Sequence, residues 1–184
     1  YFPMLVANQI LGGTAHARLF LNIREAKGFT YGAYSKLASR KEPGAFFAEA
    51  DVRTDVTNPS LQEFLYELDK MRTTKVKDDE IQAAKNYLAG SFQLGLETQG
   101  GIAQRLLEMK LFDLPNDYLE TYANKVVAVS VDDVKKAASK LIDSNNLVVC
   151  VVGDANKIKE DLALFGPVNV YDSEGRLAPE QTVH

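Results

Sequence analysis

The sequence predicts an α+β fold, an antiparallel or mixed sheet with helices packed on one face. Three observations carry this. Two aromatic-rich strand segments lie side by side early in the chain, a long series of segments with helical periodicity comes after them, and a continuous apolar run opens a short closing β-α-β pattern. Strands and helices are therefore segregated rather than strictly alternating.

The opening segment YFPMLVANQIL reads as a helix. Pro3 falls in its first turn, where a missing N–H costs nothing, and Leu5, Val6 and Ile10 share a face. Gly12 and Gly13 end it. A second helix is expected from Thr14 to Lys27, with Leu19, Phe20 and Ile23 as its apolar stripe and Gly28 as its C′ residue. FTYGAYSKLAS and GAFFAEADVR then read as an antiparallel strand pair joined by the turn RKEPG.

Helices dominate the rest of the chain. NPSLQEFLYELDKMR offers Asn58 as cap and Pro59 at the first helical position, with Leu61, Phe64, Leu65, Leu68 and Met71 at helical spacing. KDDEIQAAKNYLAGSFQLGLE opens on an acidic turn that suits the helix dipole, and Ile81, Ala84, Leu88 and Phe92 line its inner face. QGGIAQRLLEMKLFD and NDYLETYANKVVA are two further helices. In SVDDVKKAASKLI, Ser130 and Asp133 have near-capping-box spacing ahead of the stripe Val134, Ala137, Ala138 and Leu141. NLVVCVVGD reads as a central strand, Ile158 to Leu164 as a short helix, and VNVY as a last strand. So few strands for so many helices predict that at least one more lies upstream of Tyr1. The chain, which opens without an initiator methionine, reads as a fragment.

Composition narrows the function. The 184 residues are 46 % hydrophobic and 25 % charged, the profile of a globular domain. A net charge of −4 with no basic block argues against nucleic acid as a partner. No membrane segment is visible. The single cysteine, Cys150, sits in an apolar run and reads as a buried structural thiol. It does not fix a compartment.

The chain is poor in metal-binding chemistry. Zinc takes three or four ligands, often paired on one helix face. Here His16, Cys150 and His184 are far apart, with no HExxH, HxxEH or CxxC, so His16 reads as a surface or capping residue. There is no nucleophile elbow and no central histidine to serve as a base. GGTAH, QGG and VVGDA make neither a P-loop nor a dinucleotide fingerprint, and Asp78 and Asp79 are the acidic first turn of a solvated helix.

Arg24 and Tyr31 remain. Arg24 lies in the last turn of its helix, where the dipole favours a cation. Gly28 lets the backbone reverse, and Tyr31 begins the next strand. A guanidinium fork and a phenolic donor reaching one volume suit peptide carbonyls or a developing oxyanion. A helix-terminal arginine beside a packed tyrosine is the plainer reading, and spacing alone leaves both open.

The surrounding residues add to this. ANQILGGTAHARLFLNIREAKGFTYGAYS contains Leu11-Gly12-Gly13, Arg18-Leu19-Phe20, Ile23-Arg24-Glu25, Gly28 and Tyr31. In this pattern it closely resembles the M16 family of insulinases, pitrilysins and mitochondrial processing peptidases. Ile23 stands where leucine is usual, and His16 where a small polar residue is common. DDEIQAAKNYLAGSFQLGLET, VSVDDVKKAASKLI and the closing VVGD and LFGPVNVYD extend the resemblance over nearly the whole chain.

The resemblance implies a clamshell of two similar halves, each made of two α+β subdomains. One half carries zinc on an HxxEH motif and a distant glutamate. The other supplies an arginine and a tyrosine that hold the substrate backbone and the tetrahedral intermediate. Residues 1–172 would be a C-terminal-type subdomain and 173–184 a polar tail, with Arg24 and Tyr31 matching the arginine–tyrosine pair. The expected partners are other M16 subdomains, in the parent chain or a partner subunit, and a peptide substrate. Zinc is expected in the parent or partner and not on this chain, which alone should be inactive. The alternative is an M16-like subunit kept for assembly without proteolysis. A third option is an unrelated α+β binding domain, in which Arg24 and Tyr31 point apart or into packing.

Overall fold

The first helix, α1 (Phe2–Gly12), is apolar on nearly every side, and it is buried on nearly every side. In the computed structural model, which describes residues 1–38, 44–143 and 146–178, this helix is the centre of the molecule. It packs against strand β1 (Thr30–Leu37) on one flank and against helices α3 (Asp78–Gly95) and α6 (Val131–Leu141) on others. Val6 and Leu11 lose all contact with solvent. Gly12 is needed for the approach of β1, since a Cβ there would overlap the Ser35 backbone nitrogen.

β1 pairs antiparallel with β2 (Phe46–Val52) in a two-stranded sheet. Ala33 and Ser35 are buried on the helix side, while Tyr34, Lys36, Phe47, Glu49 and Asp51 face outward. The fold class is therefore α+β with helices on one face of the hairpin. The RKEPG turn lies outside the described residues except for Gly44.

Helix α2 (Thr57–Thr73) continues directly from a 3₁₀ turn at Thr54–Val56. The helix thus starts before Asn58, which is not its cap. The Asn58 Nδ2 instead donates to the Asp161 carbonyl, 3.1 Å away, in helix α7 (Ala155–Leu162). Pro59 still lies in the first turn, where no intrahelical N–H is required. At α3 the Glu80 carboxylate accepts from the Lys77 N–H at 2.9 Å. At α6 the capping box closes, with Ser130 Oγ accepting from the Asp133 N–H at 3.1 Å and Asp133 accepting from the Ser130 N–H at 3.0 Å.

Helix α5 (Tyr118–Val127) packs on α3 through aromatic contacts: Tyr122 stacks on Phe92 with centroids 3.8 Å apart. Burial pushes the Tyr122 phenol up to about 12. Helix α4 (Gln99–Leu111) has no buried residue and exposes Ile102, Leu106, Leu107 and Leu111. Among the described residues, no helix is long and apolar enough to cross a membrane.

Four further expectations need correction. The segment Thr14–Lys27 is not one α-helix: turns occupy its start, and residues Phe20–Ala26 wind as a π-helix. The apolar run Leu147–Val152 forms no strand. A strand exists only through ladder bonds to a neighbour, and here Val148 and Val152 are 96 % and 97 % exposed. Cys150 within it is exposed, not buried. VNVY is likewise not a continuous strand, and contributes isolated bridge residues at Val168 and at Tyr171, the latter antiparallel to Leu177.

Candidate functional site

The π-helix is held in its unusual winding by side chains of α2. Asn22 Nδ2 donates to Glu63 Oε2 at 2.9 Å and to Glu67 Oε1 at 3.1 Å. Lys27 Nζ lies 2.8 Å from Glu63 Oε1. Residues five apart face the same side of a π-helix, whereas an α-helix aligns residues three and four apart. The Lys27 N–H to Asn22 carbonyl bond, 3.0 Å, is that five-residue step. It lets Asn22 and Lys27 grip the same carboxylate. Their hydrogen bonds hold the Glu63 carboxyl below its usual range.

The helix ends at Gly28, whose φ of +65° is the left-handed conformation that glycine adopts freely. The Phe29 N–H returns to the Ile23 carbonyl at 3.0 Å, a closing bond one residue longer than that of a Schellman motif, as the wider π-turn requires.

Arg24 leaves this last turn with its guanidinium 4.5 Å above the Phe20 ring. Its Nε is 3.5 Å from Glu25 Oε1, and the side chain is half-exposed. The Phe20 ring lies 5.8 Å from the Tyr34 ring of β1. Arg24, Phe20 and Tyr34 thus form a stack running from the π-helix to the hairpin.

Tyr31 owes its position to a β-bulge. Thr30 is opposite Val52 and Ala33 is opposite Ala50, so Tyr31 and Gly32 together face the single residue Asp51. The Thr30 hydroxyl stabilises the irregular backbone, donating to the Asp51 carbonyl at 2.6 Å and accepting from the Gly32 N–H at 3.1 Å. A bulge re-aims the side chain it carries. Tyr31 is 96 % exposed, more than any other tyrosine among the described residues, and among those residues its hydroxyl has no partner. At Gly32 a Cβ would come within 2.6 Å of the Tyr34 ring, so the missing side chain lets that ring fold back over the backbone.

An open cavity of about 520 Å³ lies at this bulge, lined by Thr30, Tyr31, Gly32, Tyr34, Glu49, Ala50 and Asp51. Of the residues singled out in the sequence, Tyr31 lines it. Arg24 does not; it stands across the Gly28 turn, behind Phe20 and Tyr34, and no hydrogen bond joins the two among the described residues. Tyr34, Glu49 and Asp51 were not singled out. The alternation in FFAEADV carries the signal for the two carboxylates, since it places Phe47, Glu49 and Asp51 on one face.

Among the described residues no group of three His, Cys, Asp or Glu side chains could hold a metal, and His16 is exposed. No chemical step on this chain is therefore assigned to a metal.

Residues 1–88 match the family model described as the peptidase M16 inactive domain. An uncharacterized zinc protease of Streptomyces coelicolor is 31 % identical over 141 residues, 77 % of this chain and 31 % of that protein. The uncharacterized zinc protease YmxG of Bacillus subtilis is 23 % identical over 155 residues, 84 % of this chain and 38 % of that protein. Among solved structures, a peptidase M16 inactive domain from Pseudomonas fluorescens superposes with a TM-score of 0.73 at 28 % identity. That match covers 78 % of this chain and 34 % of the other. The chain spans about a third of the length of each of these relatives.

Proposed function

We propose, for a chain that belongs to the M16 peptidase family, that its Gly28 turn presents Arg24 and Tyr31 to a peptide held by the parent protein. In this reading residues 1–172 are a C-terminal-type subdomain and 173–184 a polar tail. Zinc is carried elsewhere, in the parent chain or a partner subunit, as befits a relative of proteins named zinc proteases. Tyr31 donates its hydroxyl to a substrate carbonyl or to the oxyanion that grows on it during hydrolysis. Arg24 offers its guanidinium fork to carbonyls of the same backbone.

The observation that supports this best is the state of Tyr31. A tyrosine held fully in solvent on a bulge, with a free hydroxyl beside a cavity, gains nothing for the fold from its position. It is placed to meet something outside the chain. The Phe20 ring under Arg24 supports the same reading, because it holds the cation by its face while the ion pair with Glu25 is made through Nε, at 3.5 Å, away from the end of the fork.

The test is Tyr31→Phe in the full parent assembly. Loss of one oxyanion donor lowers kcat by roughly tenfold to a thousandfold. An unchanged kcat overturns the role. The isolated chain, with or without added zinc, should hydrolyse no peptide.

A further inference from the structure

The cavity at the bulge carries more chemistry than a hydroxyl donor needs. Across the hairpin Tyr34 is opposite Glu49, and Tyr31 with Gly32 is opposite Asp51. Directly opposed side chains on one sheet face stand roughly 5 Å apart at Cβ. Each phenol ring therefore has a carboxylate as its cross-strand neighbour, and all four side chains line the same space. Among the described residues neither carboxylate has an ion-pair partner. The nearby arginines are engaged elsewhere, Arg24 with Glu25 and Arg53 with Asp55.

We infer that this cavity binds the arginine side chain of an extended peptide, with Glu49 and Asp51 receiving the guanidinium and Tyr31 and Tyr34 covering its flat faces. Two carboxylates and two aromatic rings match the two recognition surfaces of a guanidinium, its fork of N–H donors and its π-face. Lysine has a compact ammonium that uses the charge but not the stacking. An acidic or phosphorylated side chain is repelled by the carboxylates. The cavity of about 520 Å³ is open to solvent and has room for one long side chain. That the ligand is a peptide rests on the role proposed above; that its side chain is cationic rests on the cavity itself.

The test uses the full 184-residue chain and a capped pentapeptide with one central arginine. The same peptide with citrulline, the neutral isostere, is the control. Titration calorimetry or amide chemical-shift mapping should show the arginine peptide binding about fivefold to tenfold more tightly, the sum of exposed ion-pair and cation–π contributions. The preference should shrink at high ionic strength. It should disappear in Glu49→Gln/Asp51→Asn, and Tyr34→Leu should weaken it. Tyr31→Phe keeps the ring and should keep the preference, whatever it does to turnover. A failure of the hydroxyl role is thus separable from a failure of this one. Equal affinity for both peptides, no binding of the arginine peptide, or a preference that survives the double variant each overturns the assignment.

Discussion

Asn22 donates one hydrogen bond to Glu67, 3.1 Å away and itself only 4 % exposed, and that contact joins the helix bearing Arg24 to the core helix α2. The second Glu67 oxygen has no partner among the described residues. Asn22→Leu would leave a buried carboxylate with still fewer donors. We expect a loss of about 1–3 kcal/mol in urea unfolding. Amide exchange should also quicken at Lys27 and Phe29, whose N–H groups close the π-helix and its cap. An effect on stability without faster exchange at these two amides would show that Asn22 does not hold the winding.

The glycines of the LGG segment are explained by packing rather than by chemistry. Gly12→Ala drives a Cβ into the backbone of Ser35, where neither element can yield easily. The expected cost is about 3 kcal/mol or more. Gly90 is the matched control: it lies inside α3 with open space where its Cβ would go. Gly90→Ala should stabilise the protein by about 0.5–1 kcal/mol. Opposite signs at the two glycines, read from chemical denaturation midpoints, check both statements.

The range of the forces involved decides which features were legible in the sequence. The α6 capping box needs only Ser130 and Asp133, and the α1 helix only its own apolar residues, so both could be read locally. The hairpin was visible for the same reason. The π-helix was not, because Glu63 and Glu67, which hold it, come about forty residues after Asn22. Asn58 looks like a cap from its neighbours but bonds to Asp161, far along the chain. Leu147–Val152 has the composition of a central strand but finds no neighbour to pair with among the described residues. At the candidate site, residue type and spacing drew attention to Tyr31. The one-residue bulge that aims it, and the company of Tyr34, Glu49 and Asp51, depend on register.

Arg18, in the RLF segment, forms a bidentate pair with Glu80: Nε to Oε1 at 2.7 Å and Nη2 to Oε2 at 2.8 Å. Burial acts to raise the Glu80 pKa, but the hydrogen bonds from Arg18 and from the Lys77 N–H outweigh it and hold the carboxyl below its usual value. A carboxyl depressed in the folded state contributes stability above its unfolded pKa and loses it as pH falls through the folded one. Glu63 acts in the same direction. Unfolding free energy should therefore drop as pH is lowered from about 5 to about 3, and the drop should be smaller in Glu80→Gln. Arg18→Met, which strands the partner charge, should cost about 3 kcal/mol at neutral pH, and Arg18→Met combined with Glu80→Leu much less.

The exposed apolar run bears on how the chain behaves in isolation. Val148 and Val152 contribute nothing to the core, at 96 % and 97 % exposure, yet they sit in a β-prone segment with no charge from Leu147 to Val152. Such a segment is a ready template for association between chains. Val148→Lys with Val152→Lys should leave stability within about 0.5 kcal/mol, while light scattering shows less self-association at high protein concentration. If the double variant unfolds instead, these valines are packed in solution and the segment is part of the core. If it stays folded and associates as before, the apolar surface responsible lies elsewhere, and the bare face of α4, with Leu106, Leu107 and Leu111, is the next to substitute.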